Sequence, residues 1–331
     1  MRVFCEYLAF IAGVSVAFIL YTTVSLLTTT PSHAIYRVTR FQQASQLLRN
    51  ILDRTTAANR HVDSSNHSDI VARELAERVR VLCWVMTSPE NVETRVKYVV
   101  RTWARRCNKL VIISSKVNDT YGIVAINVSE GRGQLTQKTL GGFHYVYKHH
   151  LDDADWFLKA DDDTYVIMEN LRYFLSQKDT NEPVYFGHHF NSIGTFEYSS
   201  GGSGFVVSKE ALKRYGRAGS DPKVCRQTGT GGDEAFGQCM GNLGVKLKNS
   251  TDRYGKSRFH CLDPHDYVSG RIPKWLYKYD ANGVKTGVDG LSDYVISFHY
   301  VRGAQMDTLE YLIYHAKLYG VENVPQDLNQ H

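Results

Sequence analysis

The sequence predicts an α/β protein built on a mainly parallel sheet, and three observations carry that expectation. From about residue 80 onward, short apolar runs alternate with helical patterns. The runs are rich in aromatic and β-branched residues, as buried strands require, and turns of Ser, Pro and Gly separate them. One run, Trp156 to Ala160, ends abruptly in three consecutive carboxylates, Asp161-Asp162-Asp163. At 331 residues, with 43% hydrophobic and 22% charged, the chain can bury one large core or two modest ones, and general disorder is set aside.

Before that body, Leu8 to Leu27 reads LAFIAGVSVAFILYTTVSLL, uncharged and about as long as a bilayer crossing demands. A cleaved signal peptide fits less well, because the stretch is long and lacks a small-x-small cleavage site before Thr28. Charge does not fix the orientation, since Glu6 opposes Arg2 while Arg37 and Arg40 follow the span. Four Asn-x-Ser/Thr sequons, at Asn66, Asn118, Asn127 and Asn249, and five of the six cysteines all lie after it. They favour a lumenal body on a type II anchor, with residues 1–7 cytoplasmic. Residues 28–78 are polar, with broken helical patterns at Phe41 to Leu52 and Ile70 to Val79. They read as a stem, the alternative being a small helical subdomain packed on the body.

The body, residues 79–318, opens with the strand Arg80 to Thr87, after which Ser88 can cap a helix with Pro89 at its first position. Val92 to Trp103 supplies helical spacing. Leu110 to Ser115 and Ile123 to Val128 are the next strands, and a helix containing Leu140, Phe143, Val146 and Tyr147 leads to the acidic strand. A helix over Met168 to Leu175 follows, with Asp163 as an available cap. Val184 to His188 and Phe205 to Val207 read as strands flanking Ser199-Ser200-Gly201-Gly202-Ser203-Gly204, and a helix starts near Ser208. Thr228 to Gly232 turns into the helix Asp233 to Met240. After the aromatic cluster Trp275, Tyr277 and Tyr279 come a strand over Tyr294 to Val301 and a helix over Leu309 to Leu318, leaving 319–331 as a tail.

Ligands of open α/β sheets gather where strands end, and three adjacent carboxylates repel unless a cation shares them. A hard divalent ion completed by phosphate oxygens would relieve that repulsion, whereas the plain reading is a solvated acidic turn. The glycine run would let backbone approach a ligand or simply form a flexible turn. Asp233 sits at a helix start, where the backbone dipole favours its ionised form. A lone strand histidine such as His299 is more often structural than a ligand. The net charge of +5 is spread over scattered Lys and Arg, which excludes nucleic acid as a partner but leaves anionic nucleotides open.

The segments VLCWVMTSPENVETRVKYVVRTWARRCNKL, ADWFLKADDDTYVIMENLRYFL, YSSGGSGFVVSKEALKRYG and VISFHYV decide among these. In that order they resemble the animal core 1 β-1,3-galactosyltransferases, which are glycoprotein-N-acetylgalactosamine 3-β-galactosyltransferases related to the Fringe enzymes. The resemblance spans roughly residues 80 to 318. It implies a GT-A, Rossmann-like fold, UDP-galactose as donor, GalNAc α-linked to Ser or Thr as acceptor, and Mn2+ held by Asp161, Asp163 and His299. Manganese accepts mixed oxygen and imidazole ligands, which calcium seldom does. Inversion at the anomeric carbon needs one base; Asp233 matches the family's acid, with Glu234 as fallback because Gly232 stands where Glu usually precedes. Met86, Thr87, Arg95, Lys159 and Asp161 fall on the family's nucleotide side. Trp275 and Tyr277 could stack on the acceptor sugar or merely pack.

The same resemblance implies the disulfides Cys83–Cys107 and Cys225–Cys239. Cys261 is left over, either free or joining two subunits into a homodimer. Paired cysteines of the family are missing here, with Gly290-Leu291 before Ser292-Asp293, which leaves open a divergent paralogue with altered acceptor choice or weak activity. Golgi membrane residence and a dedicated chaperone are also implied. A Fringe-like transferase using UDP-GlcNAc and a non-catalytic, chaperone-like paralogue are the competing readings; the intact Asp161 to Asp163 argues against the second.

Overall fold

Six consecutive apolar residues leave no polar face to expose, and Val81–Met86 forms a strand, β1, buried on both sides of a sheet. Its side chains alternate, with Val81, Cys83 and Val85 entering one core and Leu82 and Trp84 the other. This is a computed structural model; it describes residues 70–192 and 196–319. The expected anchor at 8–27, Asn66, the stem up to residue 69 and the tail from 320 lie outside the described residues. Among the described residues no helix is long and apolar enough to cross a membrane. Residues 70–78 are helical, and Leu75 packs on the core of the body.

The single helix expected from Val92 to Trp103 is broken into a π-helical turn at Val92–Val96, an α-helix α1 at Lys97–Arg101 and a 3-10 turn at Trp103–Arg106. Val92, Thr94, Val96, Val99 and Val100 are β-branched and poor helix formers, and π-turns often re-aim a side chain, here Arg95. Ser88 precedes this stretch, but its side chain makes no capping bond. β2 (Lys109–Ser114), β3 (Ile123–Ala125), α2 (Leu135–His150) and β4 (Trp156–Asp161) follow. β3 is shorter than its apolar run suggested. β5 (Tyr165–Val166) leads to α3 (Met168–Leu175), whose N-cap is Ile167 rather than Asp163. Then come β6 (Val184–Gly187), β7 (His189–Asn191), β8 (Glu197–Ser199), β9 (Phe205–Ser208) and α4 (Lys209–Ala218), the last capped by the Ser208 hydroxyl.

The chain continues through α5 (Gly232–Asn242), β10 (Lys246–Leu247), β11 (Phe259–His260), α6 (Pro264–Ser269), α7 (Leu276–Tyr279), β12 (Ser297–Phe298) and α8 (Ala304–Tyr314). The main sheet has the order β10-β6-β9-β4-β1-β2-β3, parallel at every junction except around β9, which runs against β4 and β6. Of the run Tyr294 to Val301, only β12 pairs, between β11 and β5 in a small second sheet. α8 begins earlier than its apolar spacing indicated, because Gly303 turns the chain at φ 53 and the Gln305 side chain accepts the Arg302 N–H. The three described sequons lie beside the two edge strands, Asn118 and Asn127 around β3 and Asn249 after β10.

Disulfides join Cys83 to Cys107 and Cys225 to Cys239, while Cys261 is free and buried. The first closes a loop of sequence separation 24, worth about 3 kcal/mol against the unfolded chain. α8 is fastened by Glu310, whose carboxylate accepts from Arg105 at 2.5 Å, Arg106 at 2.7 and 3.0 Å and the Tyr165 hydroxyl at 3.0 Å. Burial alone would raise its pKa, but Arg106, Tyr165 and Arg105 together hold it below the usual carboxylate range. A depressed folded pKa stabilises above the unfolded value and is lost as pH falls through the folded one. Glu310→Ala is therefore expected to cost about 3 kcal/mol near neutral pH. The gap to the native chain should narrow as pH drops below about 4, where the unfolded carboxyl titrates; denaturant midpoints at pH 7 and at acid pH check both statements.

Candidate functional site

β4 and β1 end side by side, with Asp161 opposite Met86 in register. Thr164 then forces a tight turn: its hydroxyl accepts the Asp161 N–H at 3.1 Å, and its own N–H bonds the Asp161 carbonyl at 3.1 Å. The three carboxylates are thereby splayed apart, with Arg95 shared between Asp162 and Asp163. Asp162 is buried beneath the end of β1 and accepts from Thr87 Oγ1 at 2.6 Å, Asn91 Nδ2 at 2.9 Å and Arg95 Nη1 at 2.8 Å. Burial lifts its carboxyl above the usual range, with Thr87 and Arg95 only partly offsetting that.

Asp161 and Asp163 face the other way, toward His299. Asp163 Oδ1 lies 3.1 Å from His299 Nε2, and Asp161 Oδ2 lies 4.0 Å from the same nitrogen. One ligand atom from each residue falls within 4.8 Å of the others. Each side chain's remaining polar atom is held elsewhere. Lys159 Nζ grips Asp161 Oδ1 at 2.5 Å, Arg95 and Arg302 grip Asp163 Oδ2 at 3.0 and 3.2 Å, and His299 Nδ1 sits 3.2 Å from the Cys261 carbonyl.

A carbonyl can only accept, so Nδ1 carries a hydrogen toward Cys261, and Nε2 is the ring nitrogen that faces the two carboxylates. Two carboxylate oxygens and an imidazole nitrogen converging within 4.8 Å make a donor set that suits a divalent first-row metal. Such outer contacts fix ligand orientation. Burial would raise the pKa of Asp163, but His299, Arg95 and Arg302 outweigh it and bring it down to about 2, so the group is a carboxylate at any physiological pH.

The glycine run explains how a second acid reaches this cluster. Gly201 donates its N–H to Asp233 Oδ2 at 2.8 Å and accepts from Lys159 Nζ at 3.1 Å. A Cβ on Gly202 would meet the His299 ring at 2.2 Å, so only glycine lets backbone, imidazole and carboxylates converge. The flexible-turn reading is thus replaced by one of close approach. Asp233, in the first turn of α5, has its other oxygen on the Glu234 N–H at 3.0 Å. Glu234 instead accepts from the Ser192 hydroxyl at 3.2 Å.

A family model described as Fringe-like matches residues 77–300. The chain belongs to the Fringe-like family. It is similar to the Xenopus laevis glycoprotein-N-acetylgalactosamine 3-beta-galactosyltransferase 1, 39% identical over 256 residues that cover 76% of this chain and 71% of that protein. The mouse beta-1,3-glucosyltransferase is 26% identical over 192 residues, covering 56% of this chain and 37% of the mouse protein. A galactosyltransferase structure, LgtC with donor and acceptor sugar analogs, overlaps 66% of this chain and 86% of its own at 12% identity and a TM-score of 0.35, too loose a likeness to argue from.

Asp161, Asp163, Asp233 and His299 all fall inside the Fringe-like match; Arg302 lies just beyond it. Among the residues expected on the nucleotide side, Thr87 Oγ1, Arg95 Nη1 and Lys159 Nζ bond the acids. Met86 is half-buried and packs against one of the hydrophobic cores. Asn91 and Arg302 were not anticipated; the sole hint of Arg302 was its place three residues after His299. Trp275 and Tyr277 are 41% and 61% exposed, with Trp275 edge-on to Phe190.

Proposed function

We propose that this member of the Fringe-like family is an inverting galactosyltransferase. It moves galactose from UDP-galactose to the 3-hydroxyl of GalNAc α-linked to Ser or Thr on glycoproteins, from a type II anchor in the Golgi membrane. The observation that carries the reading is the convergence of Asp161, Asp163 and His299, joined to Asp233 through Lys159 and Gly201. It stands in a chain 39% identical to a protein named for this transfer.

Asp161, Asp163 and His299 would hold Mn2+, which when bound offsets the negative charge growing on departing UDP. Asp233 accepts the proton of the attacking hydroxyl, and a single in-line displacement turns the α-linked donor into a β-linked product. A carboxylate suits that role when its oxygens are fixed yet keep lone pairs free. The bonds from Gly201 and Glu234 occupy one lone pair on each oxygen. The exposed rings of Trp275 and Tyr277 supply stacking surface for a sugar.

The test incubates the full chain, purified in detergent, with UDP-galactose and a GalNAc-α-Thr peptide, with manganese or with chelator. A β-1,3-linked disaccharide formed only with manganese supports the reading. Preference for UDP-GlcNAc in a donor competition would replace it by a Fringe-type transfer, and folded protein that binds no UDP would defeat it in favour of a non-catalytic paralogue.

A further inference from the structure

Three adjacent carboxylates of the site, Asp161 to Asp163, are bonded from within the fold by two cations. Arg95 bonds Asp162 and Asp163 with a side chain 26% exposed, and Lys159, 3% exposed, bonds Asp161 and the Gly201 carbonyl. Arg95 is shared between two carboxylates through Nη1, and Lys159 is buried. Arg302 differs: its Nε bonds Asp163 Oδ2 at 3.2 Å, its side chain is 54% exposed, and its terminal nitrogens bond no described residue.

That position is built. Tyr300 holds φ 57, the one positive value outside glycine among the described residues, a strained backbone state for a bulky side chain. The turn puts the Tyr300 ring against His299, centroids 3.9 Å apart, and sets the Arg302 guanidinium 5.3 Å from the Tyr300 centroid. Val301 N–H bonds the Asp163 carbonyl at 3.0 Å, which pins the segment to the acidic turn. One strained residue thus aims both His299 and Arg302 at Asp163 from the open side.

We propose that Arg302 is a donor-binding residue that grips the diphosphate of the nucleotide sugar; the inference rests on the transferase reading above. A guanidinium anchored by Nε presents its two terminal nitrogens as a fork, the geometry that pairs with two phosphate oxygens. With Asp161, Asp162, Asp163 and Asp233 against Arg95, Lys159 and Arg302, the site carries one net negative charge. A divalent ion would leave it positive beside the fork, ready for a polyanion. Lys159 and Arg95, chosen from the sequence for donor binding, hold the acids, and Arg302 holds the donor.

The test measures, on the full chain in detergent, Mn2+ affinity alone and then UDP and uridine affinity with Mn2+ present. Arg302→Gln is expected to weaken UDP roughly tenfold or more, as loss of charge-assisted bonds implies. Uridine should bind as before and the melting temperature should hold, and with Arg95 still on Asp163 Oδ2 any loss of Mn2+ affinity should be smaller than the loss of UDP. Arg302→Lys, which keeps the charge without the fork, should recover only part of the loss. Unchanged UDP affinity overturns the inference, as does a parallel loss of Mn2+, which would make Arg302 a positioning residue for Asp163. Native chain that binds no UDP with Mn2+ sinks the transferase reading, and this inference with it.

Discussion

Asp163→Asn is expected to lower metal affinity, and with it metal-supported UDP binding, by more than about 100-fold, the upper range for changes one shell further out. The substitution keeps the shape of the side chain and removes its charge. Oδ1 faces His299 Nε2 at 3.1 Å, so an amide in that place either turns a donor toward the nitrogen and blocks the metal or offers a neutral oxygen with far weaker pull. Calorimetric titration of Mn2+, followed by UDP, measures the loss. Asp162→Asn is the contrast. Asp162 lies under Thr87, Asn91 and Arg95 and faces away from His299, so its charge anchors the end of β1 and the π-helical turn. It should cost about 1–3 kcal/mol of stability with a smaller effect on metal. Metal binding that survives in the Asp163 variant and fails in the Asp162 variant would reverse the two roles.

Much of this was legible before any coordinates, and the reason is local. β1 and β4 are short runs apolar at nearly every position, a pattern that only a strand buried on both faces tolerates, and the acids that end β4 had to lie at the sheet's edge. What could not be read was which way each carboxylate turned. That depends on Thr164, whose hydroxyl bond splays the acids, and on Arg95, aimed by a π-helical turn that no apolar spacing announces. His299 looked structural from its surroundings and drew its assignment from resemblance alone. Its geometry depends on Gly202, distant in sequence, leaving room for the ring, and on the Cys261 carbonyl holding its Nδ1. Arg302 escaped notice because its meaning lies in a positive φ two residues earlier, at Tyr300, and tyrosine carries no signal for that conformation.

Asp233→Asn is expected to leave Mn2+ and UDP affinity within about twofold of the native chain while transfer falls by about 10²–10⁴, the range general-base catalysis supplies. Binding should survive because Asp233 is no part of the Asp161–Asp163–His299 cluster. Its link to that cluster is the Gly201 N–H, which an asparagine oxygen still accepts. The Glu234 N–H can lose its partner to the new amide NH2 at modest cost, being only part-buried. Transfer should fail because an amide cannot take the hydroxyl proton. Glu234→Gln separates the two acids, since Glu234 is spent on Ser192 and should lose little activity. Initial rates with UDP-galactose and the GalNAc-α-Thr peptide, alongside UDP titrations, decide it. Full transfer by the Asp233 variant together with loss in the Glu234 variant would move the base one residue along α5. Loss of UDP binding with Asp233→Asn would mean that the carboxylate holds the Gly201 turn in place, and that proton transfer belongs to another group.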